Sequence, residues 1–505
     1  MLWPRNSKGY DVNSLIDRLS ASPAGRAVLG DGTGQLDGPE LAGRAKALAA
    51  YLRAAQVQRL ALWADNSLAW VICDLACQAA ELPFLPLPPY FTAEQCAHAL
   101  REGGIDSVMS PLPGMLPAAY ARATGDEPLP GFDLYRARLE MVPPLPPHTG
   151  KLTFTSGSTG APKGVCLSNA QLLHQALVLA EAVGLRTPRH LCVLPLSTLL
   201  ENVAGVYAPL LAGGQVELRS MEALGMSGSR MTDPRRFLHA LRDAEPDSLI
   251  LIPQLLQLLV QSVKAGWTPP PLRFIAVGGS RVSAALIKQA RMAGLPVYEG
   301  YGLSECASVV SLNLPGHDLP GSCGRPLPHV RVRVEDGEIL IDGNAMLGYV
   351  NEPASWGRQT IHSGDLGHLD DEGFVHIEGR RKNLLISSYG RNIAPEWVES
   401  ELLAAGGFSE AVVFGDARPC CVALVSPSRE GIEVAAMRQA IAAANARLPD
   451  YAQVRNWLCL PRTLASQGLC TANGRPRRPE IERAYAAELE ALYAGAGNDA
   501  ACAAP

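Results

Sequence analysis

Lysine is scarce in this chain of 505 residues, which contains only seven lysines among its 44 basic side chains. The formal net charge is −5, and no block of consecutive basic residues occurs. Nucleic-acid binding requires a basic patch that neutralises phosphates, so we expect no nucleic-acid partner. The excess of arginine is equally consistent with a compositional bias of the genome and does not by itself indicate a function.

Paired cysteines and long apolar runs are also missing. The twelve cysteines are scattered without zinc-site spacing, which favours reduced thiols in a cytoplasmic protein. The amino-terminal residues lack the apolar run of a signal peptide. The most apolar stretch, SLILIPQLLQLLVQSV at residues 248–263, is too short and too polar to cross a bilayer. We therefore predict a buried strand followed by a helix there, and no transmembrane segment.

Helical and strand patterns alternate along the first half of the chain, which predicts α/β layers with parallel strands. Helices are predicted at residues 41–54, 67–80 and 170–182, and strands at 59–63, 83–89 and 151–154. Residues 110–149 are rich in proline and glycine and predict an irregular excursion.

The second half has a different pattern. The alternating sequence VRVRVEDGEILIDG predicts a hairpin that turns at Asp336-Gly337, and residues 364–379 predict a further β-rich piece. Beyond Lys382, strands at 410–416 and 421–427 alternate with helices at 396–404 and 431–446. This pattern predicts a small α+β domain after a large, multi-layer α/β domain that carries a β-rich subdomain.

A dense cluster of small and polar residues lies in LTFTSGSTGAPKGVCLS, residues 152–168. Glycines let successive N–H groups point at one anion, hydroxyls add donors, and a lysine adds positive charge. The residues concerned are Thr155, Ser156, Gly157, Ser158, Thr159, Gly160, Lys163 and Gly164. The common nucleotide loop has glycine before its lysine, whereas Pro162 stands there in this chain. Composition alone fits a phosphate-binding loop and a flexible surface loop equally well.

Four motifs occur in a fixed order along the chain: TFTSGSTGAPKGV at 153–165, YEGYGLSE at 298–305, SGDLG at 363–367 and GRRKNLLISSYGRNIAPEWVE at 379–399. Together they closely resemble the adenylate-forming (AMP-binding) enzyme superfamily of acyl-CoA synthetases, amino-acid adenylation domains and luciferases. PLPPYFTAEQ and GRNIAPEWVE are most similar to bacterial long-chain acyl-CoA synthetases. The resemblance extends from about residue 10 to residue 490.

The resemblance implies that ATP and Mg²⁺ bind in the large domain. The loop from Thr155 to Gly164 would wrap the β- and γ-phosphates, while Glu305 and Thr155 would bind the metal, since Mg²⁺ prefers oxygen ligands. The implied adenosine-binding residues are Gly279 and Ser280 in the adenine pocket, Tyr301 stacked on adenine, Gly302 and Ser304 in the same motif, Asp365 on the ribose hydroxyls, and Arg380 on the ribose or phosphate.

Other implied roles concern the small domain and the acyl acceptor. The implied boundaries are an AMP-binding domain at 1–378, a hinge at 379–382 with Lys382 as its pivot, a small mobile domain at 383–495 and a flexible tail at 496–505. Gly390 would lie in the segment that faces the pantetheine channel of coenzyme A. Residues 194–205, LPLSTLLENVAG, occupy the stretch that shapes the acyl pocket, and they lack the aspartate with which amino-acid-activating relatives bind an ammonium group. An apolar acid therefore fits better, and Glu201 has no assigned role.

The sequence departs from the family pattern at its last motif. Arg475 stands where the family has a lysine that bridges the carboxylate and the α-phosphate, and no lysine follows Lys382. A guanidinium is a planar fork and is not equivalent to an ammonium. We expect a cytoplasmic acid–thiol ligase for a medium- or long-chain fatty acid, with Arg475, Lys382 and Glu305 as catalytic residues. The alternatives are loading of a carrier-protein phosphopantetheine, and a degenerate adenylate-binding protein with weak or no turnover.

Overall fold

The computed structural model describes residues 14–111, 116–123, 128–155, 163–227, 230–429, 431–471 and 474–494. Two large sheets with helices against them form the bulk of the first 350 residues, and smaller sheets follow. The protein therefore has the predicted mixed α/β fold, with a large amino-terminal domain and a smaller carboxy-terminal domain.

The helices of these residues follow the strands in sequence and cover the sheets. The α-helices are Ser14–Ser20, Gly38–Ala54, Leu68–Ala80, Ala93–Gly103, Asn169–Val183, Ala208–Leu211, Pro234–Ala244, Pro253–Lys264, Ala284–Met292, Pro395–Ala405, Val434–Asn445, Arg478–Ala484 and Ala486–Tyr493. Five 3₁₀-helices lie at Ser304–Cys306, Pro353–Ser355, Arg381–Asn383, Asp450–Ala452 and Ala465–Gln467. A π-helix, with its wider turns, spans Glu201–Tyr207.

The larger sheet has nine strands. In spatial order they are Arg325–Pro326, Ser308–Leu312, Val297–Leu303, Phe274–Val277, Ser248–Leu251, Arg189–Cys192, Gln215–Leu218, Ala27–Gly30 and Gln35–Asp37. Its inner strands run parallel and its edge pairs antiparallel. Parallel strands need helical crossovers, which explains the alternation of helix and strand in the sequence.

The second sheet has eight strands. They are Gly348–Tyr349, Lys163–Leu167, Lys151–Thr155, Phe84–Leu87, Leu60–Trp63, Ser107–Ser110, Asp133–Arg136 and Ala121–Arg122. Residues 110–149, predicted to be irregular, contribute the last two of these strands as an antiparallel edge. Helix caps stabilise the beginnings of two helices. The hydroxyls of Ser67 and Ser168 accept N–H groups of the first turns of the helices that follow them.

The other sheets of the described residues are smaller, and most of them lie in the second half of the chain. A four-stranded antiparallel sheet contains Arg331–Glu335, Glu338–Asp342, Thr360–Leu369 and Val375–Arg380. The predicted hairpin turn is confirmed, and Asp336 and Gly337 both have positive φ, at 48° and 75°. A three-stranded sheet of Phe408–Phe414, Cys421–Pro427 and Val454–Cys459 carries the core of the small domain. Two separate two-stranded ribbons pair Met226–Ser227 with Arg230–Met231 and Leu385–Ile386 with Asn392–Ile393.

The predicted helices and strands lie within a few residues of the observed ones, including the Ser248–Leu251 strand and the Pro253–Lys264 helix of the most apolar stretch. No helix of the described part of the chain is long and apolar enough to span a membrane. The predicted tail at 496–505 lies outside the described residues.

Candidate active site

The predicted phosphate loop joins two antiparallel strands. Lys151–Thr155 pairs with Lys163–Leu167, and Thr155 lies opposite Lys163. Ser156, Gly157, Ser158, Thr159 and Gly160 lie outside the described residues. Lys163 lies at the foot of the loop, where its Nζ contacts Glu352 Oε1 at 2.6 Å and sits 4.9 Å from the centre of the Tyr349 ring.

Asp365 lies at the centre of the predicted adenosine site. Its carboxylate accepts the Tyr301 hydroxyl at 2.6 Å and pairs with Arg380 Nε at 2.6 Å. The strands Thr360–Leu369 and Val375–Arg380 place Asp365 directly opposite Arg380. Burial raises the pKa of Asp365, whereas Arg380 and the bond from Tyr301 oppose that rise. Burial also raises the pKa of Tyr301 well above its usual range, so its hydroxyl stays a donor.

Glu305 lies in the 3₁₀-helix that follows the strand carrying Tyr301. Its Oε1 accepts the Tyr349 hydroxyl at 2.9 Å. Because Tyr349 also lies beside Lys163, it connects the predicted metal ligand with the predicted phosphate lysine. Burial and the neighbouring Glu305 raise the pKa of Tyr349, which keeps its proton on oxygen.

Arg475 crosses from the small domain to the large one. Its Nη2 donates to the carbonyl oxygen of Gly279 at 2.9 Å, within the predicted adenine-pocket turn. The residue as a whole is exposed. Its guanidinium end is nevertheless crowded, so loss of hydration and the nearby Arg380 lower its pKa, while Asp365, Glu396 and Glu305 act in the opposite direction. Arg475 therefore lies within electrostatic reach of the predicted ribose and metal ligands.

The predicted hinge lysine, Lys382, also lies near the site. Lys382 is exposed in the 3₁₀-helix Arg381–Asn383. Loss of hydration, then Arg380, then Lys163 lower its pKa, so Lys382 lies within electrostatic reach of both of these cations. Ser280 is exposed after Gly279, and Ser304 starts the 3₁₀-helix of Glu305.

Two of the predicted cofactor-binding glycines are explained by close packing, which leaves no room for a side chain. A Cβ at Gly302 would lie 1.7 Å from the Ser308 carbonyl oxygen, and one at Gly164 would lie 2.8 Å from Val350 Cγ2. Gly390 has φ of 70° in an exposed turn, and no described atom outside its chain neighbours lies within 4 Å of a Cβ built there. The structure brings Tyr301, Asp365, Arg380, Glu305 and Arg475 together; Gly390 lies apart from them on the small domain.

A fully buried ionic network surrounds Lys151, the first residue of the strand that leads into the loop, and we call it the lysine cluster (Asp74, Lys151, Asn202 and Tyr207). Lys151 Nζ lies 2.8 Å from Asp74 Oδ1 and 3.0 Å from the Tyr207 hydroxyl, and it also contacts Asn202 Oδ1. Asn202 and Tyr207 donate to the other Asp74 oxygen at 2.9 and 2.5 Å. Burial lowers the pKa of Lys151, and Asp74 opposes that shift. The cluster ties the strand leading into the loop to the helix Leu68–Ala80 and to the π-helix.

Sequence reasoning missed Tyr349, Glu352 and Glu396, which contact or electrostatically influence the predicted site residues. Tyr349 and Glu352 lie in the short segment LGYVNEP at 347–353. A tyrosine and a glutamate beside a turn were the only sequence signal that could have identified them as site residues.

Comparison with known proteins is consistent with this arrangement. The family described as "AMP-binding enzyme" matches residues 17–350, and "AMP-binding enzyme C-terminal domain" matches residues 382–497. A long-chain-fatty-acid–CoA ligase, FadD15 of Mycobacterium bovis, is 27% identical over 427 residues, covering 71% of each chain. A feruloyl-CoA synthase of an Amycolatopsis species is 31% identical over 429 residues, covering 79% of this chain and 84% of the relative.

Solved structures share the fold. The anthranilate CoA ligase AuaEII, in complex with anthranoyl-AMP, superposes with a TM-score of 0.78 at 19% identity and covers 95% of this chain and 98% of its own. The o-succinylbenzoate CoA synthetase of Bacillus subtilis, in complex with ATP and magnesium, gives a TM-score of 0.72 at 24% identity, covering 93% of this chain and 98% of its own.

Proposed function

Because the chain belongs to the AMP-binding enzyme family, and is an enzyme of the acid–thiol ligase class, we propose that it activates a medium- or long-chain fatty acid with ATP. The product of this first step is an acyl-adenylate, and the acyl group then passes to a thiol, that of coenzyme A. The similarity to FadD15 favours a fatty acid, whereas feruloyl-CoA synthase and 2-succinylbenzoate–CoA ligase are relatives with aromatic substrates in their names.

The observation that carries this proposal is the position of Arg475. The small domain delivers this guanidinium to the Gly279 carbonyl at 2.9 Å, with Asp365 and Glu305 close enough to affect its pKa. Attack of a carboxylate on the α-phosphate brings two anions together, so a cation aimed at the reacting groups lowers the barrier. In this proposal Arg475 replaces the expected lysine as that cation.

The residues present fit ATP and Mg²⁺. Asp365 is 3% exposed, and a carboxylate has capacity for further hydrogen bonds beyond those from Tyr301 and Arg380, so it suits the two ribose hydroxyls. Glu305 offers the hard oxygen that Mg²⁺ prefers, and Lys163 lies at the foot of the loop for the terminal phosphates. Bound Mg²⁺ would neutralise phosphate charge during the transfer.

The acyl side of the site favours an apolar acid. The only acid in residues 194–205 is Glu201, which is fully buried and accepts the Val193 N–H at 3.0 Å. Its carboxylate is therefore held in the protein core, and this segment offers no free carboxylate to a substrate ammonium group. The buried leucines around it, Leu194, Leu196 and Leu199, are compatible with an acyl chain.

ATP–pyrophosphate exchange tests the proposal. The panel contains saturated fatty acids of increasing length, ferulate, 2-succinylbenzoate and anthranilate, and we expect exchange with the fatty acids. Exchange with an aromatic acid alone would reject the fatty-acid assignment, and no exchange with any acid would reject adenylation. Product mass with coenzyme A or with a phosphopantetheinylated carrier protein as acceptor identifies the thiol.

Variants of Arg475 test the role of the cation. Arg475→Ala should lower exchange by about 10²–10³-fold, as for removal of one transition-state contact. Arg477→Ala is the matched control, because Arg477 lies two positions along the same segment and pairs with Glu480 at 3.3 Å. A degenerate protein would instead bind ATP without turnover and gain activity in Arg475→Lys.

A further inference from the structure

A second buried polar group also includes a residue of the π-helix, and we call it the histidine cluster (His190, Cys192 and Glu201). His190 and Cys192 are two positions apart on the strand Arg189–Cys192, so their side chains leave the same face. Glu201 is the first residue of the π-helix that packs against this strand. One ligand atom from each residue can be chosen so that all three lie within 4.8 Å of one another.

Two atoms of this cluster lack partners. Among the described residues, His190 Nε2 and Glu201 Oε2 are buried without a hydrogen bond, and Nε2 lies 3.7 Å from Glu201 Oε1, which is too long for one. Both residues are almost fully buried, at 2% and 0% exposure. Buried polar groups in native proteins are nearly always satisfied, so these two atoms call for an unseen partner.

Neighbouring residues orient the His190 imidazole and leave space between it and the Glu201 carboxylate. His190 Nδ1 lies 2.9 Å from the Ser248 hydroxyl, which leaves Nε2 to face the cluster. Metal-binding histidines commonly have their second nitrogen held in this way. A Cβ at Gly205 would lie 2.9 Å from Nε2 and 3.2 Å from Glu201 Oε1. Glycine is therefore the residue that leaves room between the imidazole and the carboxylate.

We propose that His190, Cys192 and Glu201 bind a structural zinc ion, beyond the ligase activity proposed above. Nitrogen, thiolate sulfur and carboxylate oxygen are the ligands that zinc uses in proteins, and a mixed set of this kind disfavours Mg²⁺ and Ca²⁺. The Gly205 carbonyl oxygen accepts the Cys192 S–H at 3.6 Å, and loss of that proton on metal binding frees it to act as the fourth ligand. Binding replaces the Cys192 thiol proton by the metal, and the proton leaves to solvent.

The ion would join the strand Arg189–Cys192 to the start of the π-helix. The segment between them, residues 193–200, contains the first part of the stretch 194–205 that is expected to shape the acyl pocket. A metal at this position would therefore hold both ends of segment 193–200.

Metal analysis of the purified full-length protein tests the proposal. The protein is produced with added zinc salt, dialysed without chelator and measured by mass spectrometry of its metals, and we expect about one zinc per chain. Cys192→Ser should lower the zinc content at least about tenfold. Cys421→Ser is the matched control, because Cys421 is equally buried on a strand of the small domain. Equal zinc content in Cys192→Ser and wild type would overturn the proposal.

A second variant keeps the test decisive if Cys192→Ser does not fold. Gly205→Ala removes no ligand side chain, but its methyl group fills the space beside Nε2, so it should also lose zinc. Cobalt added to the metal-free protein should give a thiolate-to-cobalt charge-transfer band in wild type and in Cys421→Ser but not in Gly205→Ala. Absence of both zinc uptake and the cobalt band in wild type would refute the site.

Discussion

The lysine cluster and the histidine cluster both include residues of one π-helix, and they differ in how well their polar atoms are paired. Lys151 contacts three oxygen atoms, and the one Asp74 oxygen without a hydrogen bond lies 2.8 Å from its ammonium nitrogen. The histidine cluster retains an unpaired imidazole nitrogen and an unpaired carboxylate oxygen within the described structure. We call the lysine cluster closed because its buried polar atoms have partners within the cluster, and its role in the fold explains it. The unpaired atoms of the histidine cluster instead indicate a ligand.

The largest effect is expected from opening the closed cluster. Lys151→Met leaves the buried Asp74 carboxylate without its cationic partner, which should lower the free energy of unfolding by about 3–5 kcal/mol. Urea unfolding measures this, with Arg236→Ala as the control, because the exposed pairs of Arg236 with Asp233 and Glu222 should contribute about 0–1 kcal/mol.

The double variant Lys151→Met with Asp74→Leu should recover much of the loss, since it removes the isolated charge. A single-variant loss no larger than that of Arg236→Ala would contradict the view that the lysine cluster is a tightly coupled network.

Glu299 is a third buried carboxyl, after Asp74 and Glu201, and the effect expected from replacing it is intermediate in size. Burial raises its pKa to about 8 from 4.5, and only the neighbouring Arg281 and weaker contacts oppose the shift. Between these two values the folded protein binds more protons than the unfolded chain, so stability should fall as pH rises, by up to ~1.4 kcal/mol per pH unit. Glu299→Gln should flatten this slope in urea midpoints at pH 6, 7 and 8.

The control for Glu299→Gln is Glu222→Gln, whose carboxylate is 89% exposed and should leave the slope unchanged. Parallel pH profiles for wild type and Glu299→Gln would show that the buried carboxyl does not titrate in this range.

The smallest effect is expected from removing one hydroxyl from the closed cluster. Tyr207→Phe keeps the ring but loses the bond to Asp74 at 2.5 Å and the bonds from Gln78 at 2.6 Å and Lys151 at 3.0 Å, at an expected cost of about 1–1.5 kcal/mol. Tyr451→Phe, on an exposed ring, is the control. If the clusters act independently, a zinc chelator should leave the Tyr207→Phe difference unchanged, and a chelator-dependent difference would show that the π-helix couples them.

Local patterns predicted most of the fold. The hairpin at Asp336-Gly337, the helices near Ser67 and Ser168, and the strand before Pro253 were predicted from turn chemistry and periodicity within a few residues. The ordered motifs also predicted that Tyr301, Asp365 and Arg380 would lie together, and the structure places them in direct contact. Their roles toward ATP stay predictions.

Long-range contacts were beyond the reach of sequence patterns. Lys151 looked like an ordinary start of a strand, because its partners Asp74, Asn202 and Tyr207 are more than fifty positions away. His190 and Cys192 have the spacing of any alternating strand, and nothing local signals that Glu201 turns towards them. The edge strands within residues 110–149 were missed because they are short and held by pairing with a neighbour rather than by their own periodicity.

The hydrogen bond from Arg475 to Gly279 makes the position of a positive charge near Asp365 depend on the orientation of the small domain. A guanidinium has five N–H donors in one plane, so a bond to Gly279 leaves others available to anions nearby. Any rotation of the small domain that breaks this bond also withdraws the charge from Asp365 and Glu305. The electrostatic potential around Asp365 would thus report the orientation of the small domain, and a probe sensitive to that potential could follow the rotation in solution.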